Sequence, residues 1–175
     1  MKRKQFSEVP LQDAQRAMRF IRGRAPGFGI RVDRIGVPGF SAGGHLAGSL
    51  ATRHAEAVYV PVDAYDQESA RPDIAALIYP VVSTEASYTH GGSRDMLLGL
   101  RASEAARRLG SVERQVDRDT PPTFLVHAAD DGLLPPANSI AMFAAMTKSH
   151  RPVALHIFEA GAMASAHFCP KIVPQ

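Results

Sequence analysis

The sequence predicts an α/β fold with a mainly parallel sheet flanked by helices. Three observations carry the prediction. Residues 74–79, 124–128 and 153–158 are short apolar runs of the kind that form buried parallel strands. Segments of helical period, residues 11–22, 42–54 and 137–149, alternate with them, as right-handed crossovers require. Gly39-Phe40-Ser41-Ala42-Gly43 places a G-x-S-x-G sequence between a strand-like and a helix-like run.

The elements follow in order. In residues 11–22, Leu11, Ala14, Ala17, Met18 and Ile21 recur at helical spacing, Pro10 suits the first turn and Gly23 marks the exit. Residues 34–37 read as a strand leading to the serine. Residues 42–54 form a small-residue helix that can press closely on a sheet. Residues 58–70, rich in Asp, Pro and Tyr, are a loop. Ile74-Ala75-Ala76-Leu77-Ile78-Tyr79 is a strand stopped by Pro80. Residues 83–100 are polar and contain glycine, an excursion over the active face, and residues 103–109 are a short helix. Phe124 to Ala128 form the next strand, residues 137–149 a helix with Ile140, Phe143, Ala144 and Met146 near one face, and Val153 to Phe158 the last strand. Residues 159–175 are irregular.

Size and charge bound the function. At 175 residues, 45% hydrophobic and 21% charged, residues 1–175 are expected to form one domain with a sizeable core. The net charge of +3 is scattered, and no nucleic-acid motif is present. Met1-Lys2-Arg3-Lys4 has no apolar run behind it, so no secretory signal is expected, no segment has the length of a membrane span, and the expected location is cytoplasmic. A single cysteine, Cys169, excludes an internal disulfide.

A serine on a sharp strand-to-helix turn has its hydroxyl pushed out of the sheet, with the next backbone N–H aimed at the same spot. Glycines on either side, Gly39 and Gly43, are expected where a Cβ would clash. Serine needs a base, usually histidine, and the base needs a carboxylate to hold its tautomer. In this kind of sheet the chain order is Ser, then Asp or Glu, then His. Asp130 and Asp131 follow the 124–128 strand directly. Asp131 is favoured for the acid, and the competing reading is that both aspartates cap the following helix. Of seven histidines, His45 and His54 are expected to be structural or solvated. His127 and His156 should be packed and hydrogen-bonded within strands, and His150 exposed at a helix end. His90 could line a pocket. Only His167 lies after the last strand, where the order requires the base.

The segments Leu11-Gln12-Asp13-Ala14-Gln15-Arg16-Ala17, Gly36 to Ala47, Arg71-Pro72-Asp73, Ile78-Tyr79-Pro80-Val81, Thr120 to Asp131 and Pro135 to Ser139 together resemble an α/β-hydrolase of the acetyl-esterase/lipase kind. They are most similar to small acetylxylan-esterase-type carbohydrate esterases. The resemblance runs from about Pro10 to Gly161. It implies Ser41 as nucleophile, Asp131 as triad acid and the Ala42 N–H as one oxyanion donor; beside these, Gly43 and His90 are expected on the oxyanion and substrate side. It also implies hydrolysis of short acyl, chiefly acetyl, esters on small molecules or carbohydrate, without metal or cofactor.

Three departures stand beside the resemblance. Nothing before Leu11 supplies the His-Gly-Gly-Gly-type loop that carries a second oxyanion donor, so a partial fold lacking the first strands is expected. Where such enzymes read Glu-x-Gly-Gly-His-Gly-Phe, this chain reads Glu159-Ala160-Gly161-Ala162-Met163, with His167 four residues beyond Met163. The helix that closes such folds is also expected to be absent from residues 1–175. The edge of the strand before Ser41 is then expected to face solvent or a second copy, beside an apolar patch. The alternative to an active esterase is an inactive hydrolase fragment that serves as a binding or assembly module, or has no function.

Overall fold

The computed structural model describes residues 8–160. Helix α1 spans Val9–Arg24, with Pro10 in its first turn and Leu11, Gln15 and Met18 buried along one face. Strand β1 (Gly36–Phe40) runs straight into α2 (Ser41–Arg53). Strand β2 (Ile74–Ile78) is followed by α3 (Gly91–Leu98) and α4 (Glu104–Gly110), then β3 (Thr123–Ala128), α5 (Ala137–Lys148) and β4 (Val153–Phe158). Short 3₁₀ turns occupy Ala25–Phe28, Ala64–Gln67 and Val112–Arg114.

The four strands form one sheet in the order β1-β2-β3-β4, and every neighbouring pair is parallel. This is the expected α/β architecture. β1 begins two residues later than the apolar pattern suggests and continues to Phe40. Its ladder stops short because Asp73 takes over Ile35. The Ile35 N–H donates to Asp73 Oδ2 at 2.8 Å and the Asp73 N–H returns to the Ile35 carbonyl at 2.9 Å. Pro38 is tolerated inside β1 because β1 is an edge strand and one side of it needs no ladder donor.

The excursion after β2 contains a helix that the sequence hides. Gly91-Gly92 argue against α3, yet His90 stands at its N-cap and accepts the Ser93 N–H through Nδ1 at 3.2 Å. Ser103 caps α4 in the same way, accepting from the Ala106 N–H at 3.2 Å.

The core lies on one face of the sheet. Ala47 and Ala51 of α2 and Met142 and Met146 of α5 pack on Ala75, Leu77 and Leu125, and a second cluster joins Leu11 and Met18 of α1 to Leu50 and Ile35. The strands were expected to be buried, but the opposite face is partly open. Phe40 is 55% exposed, Ile74 49% and Phe158 46%. Their alternation along β1, β2 and β4 sets them all on that face. His156 lies there too. It is exposed against the Phe124 ring at 5.3 Å, so the expectation of a packed, hydrogen-bonded ring fails for it. No helix among the described residues is long and apolar enough to cross a membrane.

Candidate active site

Ser41 is the first residue of α2 and has φ of 53°. A side chain in that left-handed region carries backbone strain, which the fold around it must hold in place. The grip comes from close packing on both sides of the turn. A Cβ on Gly39 would lie 2.3 Å from the Gly43 carbonyl oxygen and 2.7 Å from Ala47 Cβ. A Cβ on Gly44 would lie 2.8 Å from Pro80 Cβ. Gly43 has open space where its Cβ would be, so the steric need expected at Gly43 falls on Gly44 instead. The Val81 N–H donates to the Ser41 carbonyl at 3.1 Å, which ties the turn to the chain leaving β2. Ser41 is half-buried, while Ala42 and Gly43 are exposed.

Phe40 pairs with Ile78 and Ile78 with Val126, so Ser41 and the ends of β2 and β3 lie at one edge of the sheet. Parallel sheets gather their chemistry at that edge. Tyr79 also has positive φ, 36°, and its ring stands 6.0 Å from Phe40. This second strained residue was not visible in the sequence, because nothing in Tyr79-Pro80 signals a left-handed turn.

Asp131 lies just past β3 and is buried. Its Oδ1 accepts the N–H groups of Leu133 at 3.0 Å and Leu134 at 2.8 Å. Its Oδ2 is buried and has no hydrogen-bond partner among the described residues. The capping alternative fails for Asp131, since the residue at the N-cap of α5 is Pro136. Asp130 is exposed.

His127 is buried and bonded at both ring nitrogens. Nε2 meets the Leu134 carbonyl at 2.7 Å and Nδ1 meets Ser139 Oγ at 2.8 Å. Burial pushes its pKa down, against the Leu134 carbonyl and the Asp131 charge, which push it up. His45 is held to the Gly110 carbonyl at 2.7 Å, and burial lowers its pKa as well. His54 bonds the Ala51 carbonyl at 3.1 Å, and His150 is exposed after α5. His167 and Met163 lie outside the described residues.

His90 lines a cavity of about 680 Å³ between the start of α1, the first turns of α2, and α3 and α4. Ala42 and Gly43 line it as well, and Ser41 does not. The structure thus brings Ala42, Gly43 and His90 to one cavity, with Ser41 next to Ala42 in the chain but outside its lining, and sets Asp131 across the end of β2 from Ser41. Among the described residues no group of three His, Cys, Asp or Glu side chains could hold a metal ion.

Asn138 was missed in the sequence. It is fully buried, and its Oδ1 accepts the Val82 N–H at 2.9 Å and the Ser83 N–H at 3.2 Å. Its Nδ2 donates to the carbonyls of Tyr88 at 3.3 Å and Pro135 at 3.1 Å. One side chain therefore joins the loop after β2 to the loop that carries Asp131. Only the short spacing from Pro135 to Asn138 hinted at it.

The chain is similar to known proteins over most of its length. It is 38% identical over 152 residues to endo-1,4-beta-xylanase B of Butyrivibrio fibrisolvens, covering 87% of this chain and 24% of that protein. It is 29% identical over 157 residues to the acetylxylan esterase of Xylanibacter ruminicola, covering 87% of this chain and 30% of that protein. The crystal structure of an acetyl ester-xyloside bifunctional hydrolase from Caldicellulosiruptor lactoaceticus superposes with a TM-score of 0.81 at 40% identity, over 87% of this chain and 56% of that one. The chain thus spans less than two thirds of each, and the fold it shares with such structures is that of the α/β-hydrolases. Residues 2–146 match the BD-FAE family over most of the chain's length, and the chain belongs to that family.

Proposed function

We propose that this chain is a serine carboxylic-ester hydrolase acting on short acyl, chiefly acetyl, esters of small molecules or carbohydrate. The observation that carries the reading is Ser41 at φ 53° at the head of α2. Strain of this kind persists where a surrounding fold over-determines it, and a protruding nucleophile gives it a use. The relatives named for xylan and acetyl esters support the choice of substrate class.

In this reading Ser41 Oγ attacks the acyl carbon, and its proton passes to His167. The Ala42 N–H stabilises the oxyanion, beside Gly43 and His90 on the substrate side. The protonated His167 then gives its proton to the leaving alkoxide, and water releases the acid from Ser41 by the reverse sequence. Asp131 Oδ2, buried and without a hydrogen-bond partner among the described residues, is the acceptor that fixes the base. The position of His167 after β4 matches the order Ser, Asp, His.

The test is hydrolysis of p-nitrophenyl acetate together with labelling by a fluorophosphonate. Ser41→Ala should abolish labelling and, with His167→Ala, lower turnover by about 10⁶ relative to an intact triad. Turnover unchanged in Ser41→Ala would refute the serine mechanism. A chain that folds but takes no label would favour the inactive module, whose motivation is Met163 at the expected histidine position.

A further inference from the structure

Leu134 is gripped from two sides. Its N–H donates to Asp131 Oδ1 at 2.8 Å and its carbonyl accepts from His127 Nε2 at 2.7 Å. A carbonyl oxygen only accepts, so Nε2 must carry the ring proton. That leaves Nδ1 as an acceptor, and Ser139 Oγ at 2.8 Å donates to it. The imidazole therefore spans from α5 to the loop that bears Asp131. Both side chains are out of solvent, with His127 at 0% and Asp131 at 2% exposure. Nε2 also lies 3.7 Å from Asp131 Oδ2, close in field but beyond hydrogen-bond length. The carboxylate is thus held through one oxygen, and no described residue bonds the other.

We propose that His127 is a positioning residue for Asp131: it anchors the Leu134 peptide to Ser139, and through that peptide sets the carboxylate with Oδ1 occupied and Oδ2 available. The proposal deepens the esterase reading and rests on it for the role of Asp131. His127 does not touch substrate. It acts by denying the acid loop the freedom to turn Oδ2 away or to bond it elsewhere. A leucine of similar bulk would fill the space but release the Leu134 carbonyl. A glutamine would keep both contacts, because its amide N–H can reach that carbonyl and its oxygen can accept from Ser139.

Two readouts on the full chain test this. The first is independent of turnover. Amide hydrogen exchange at Leu133 and Leu134 should speed up tenfold or more in His127→Leu relative to amides of α2, and should stay as in the wild type in His127→Gln. The second is kinetic. In His127→Leu kcat on p-nitrophenyl acetate should fall about tenfold with KM unchanged, with recovery in His127→Gln. The same substitution should cost nothing further in an Asp131→Asn background, since a residue acting only through Asp131 is non-additive with it. General loosening would add in both backgrounds. If His127→Leu does not fold, Ser139→Ala takes its place, with the same two amides expected to exchange faster. Unchanged protection at Leu133 and Leu134, or a full kinetic cost in the Asp131→Asn background, overturns the proposal. A wild-type chain without turnover defeats the esterase reading, and the exchange result then decides the positioning by itself.

Discussion

At Ser41 a single backbone angle and two cramped glycines, Gly39 and Gly44, decide the local geometry. Gly39 faces the Gly43 carbonyl and Ala47 at distances no Cβ could occupy, and those neighbours are backbone or a helix-bound methyl that cannot swing away. Gly39→Ala is therefore expected to lower stability by about 1–3 kcal/mol or more, as overpacking does. Gly43→Ala meets nothing and sits inside α2, so it should hold or raise stability by about 0.5–1 kcal/mol. Urea unfolding of the two variants checks the contrast, and equal losses would show that the tight side of the turn has been misplaced. The motif itself was legible, because a strand, a turn and a helix written in order leave few places for that serine. Which second glycine is cramped was not legible, because it depends on Pro80, 36 residues from Gly44 in the chain.

Between elements the polar contacts are specific, and they converge on Asp66, whose carboxylate is buried. Arg16 on α1 reaches Asp63 at 2.6 Å and Asp66 at 3.2 Å, fixing the long loop after α2 to the first helix. The Tyr59 hydroxyl and the Val62 N–H donate to Asp66 and hold its carboxyl at about 2. An ordinary aspartate in the unfolded chain titrates near 3.9. The folded state is thus favoured above the unfolded value, and the favour is lost as pH falls from about 4 toward 2. The midpoint of urea unfolding should drop across that interval in the wild type and change less in Asp66→Asn. A slope that is the same in both would remove Asp66 as its source. Strands and most helices were legible from apolar period alone. Helix α3 was not, since Gly91-Gly92 oppose it and its cap comes from a histidine, a residue rarely read as a capping signal.

For the whole molecule, the helices that build the core pack on one side of the sheet, and Phe40 and Ile74 stand open on the other. β1 is an edge with its outer ladder groups unpaired by any described strand. Apolar faces and open edges associate. The chain by itself is expected to self-associate with rising concentration, and Ile74→Lys should weaken that association at little cost to the fold because Ile74 is already 49% exposed. Sedimentation over a concentration series checks both, and a wild-type chain that stays monomeric throughout sinks the idea. The strand order and the side on which the helices lie belong to this scale. The sequence predicted strands buried in a parallel sheet, and the one-sided core departs from that, because an apolar run reads the same whether or not a layer covers it.

From the sequence alone came the alternation of strands and helices, the serine turn and the aspartate after β3. These are patterns of near neighbours, and period, capping and steric demand act over a few residues. The tertiary structure alone decided that Gly44 rather than Gly43 is pressed, that Asn138 joins two loops, and that His127 holds Leu134 rather than a reacting group. Each of these depends on which distant backbone atoms meet a side chain once the sheet has formed, and a hydrogen bond chooses its partner by position, not by chain order.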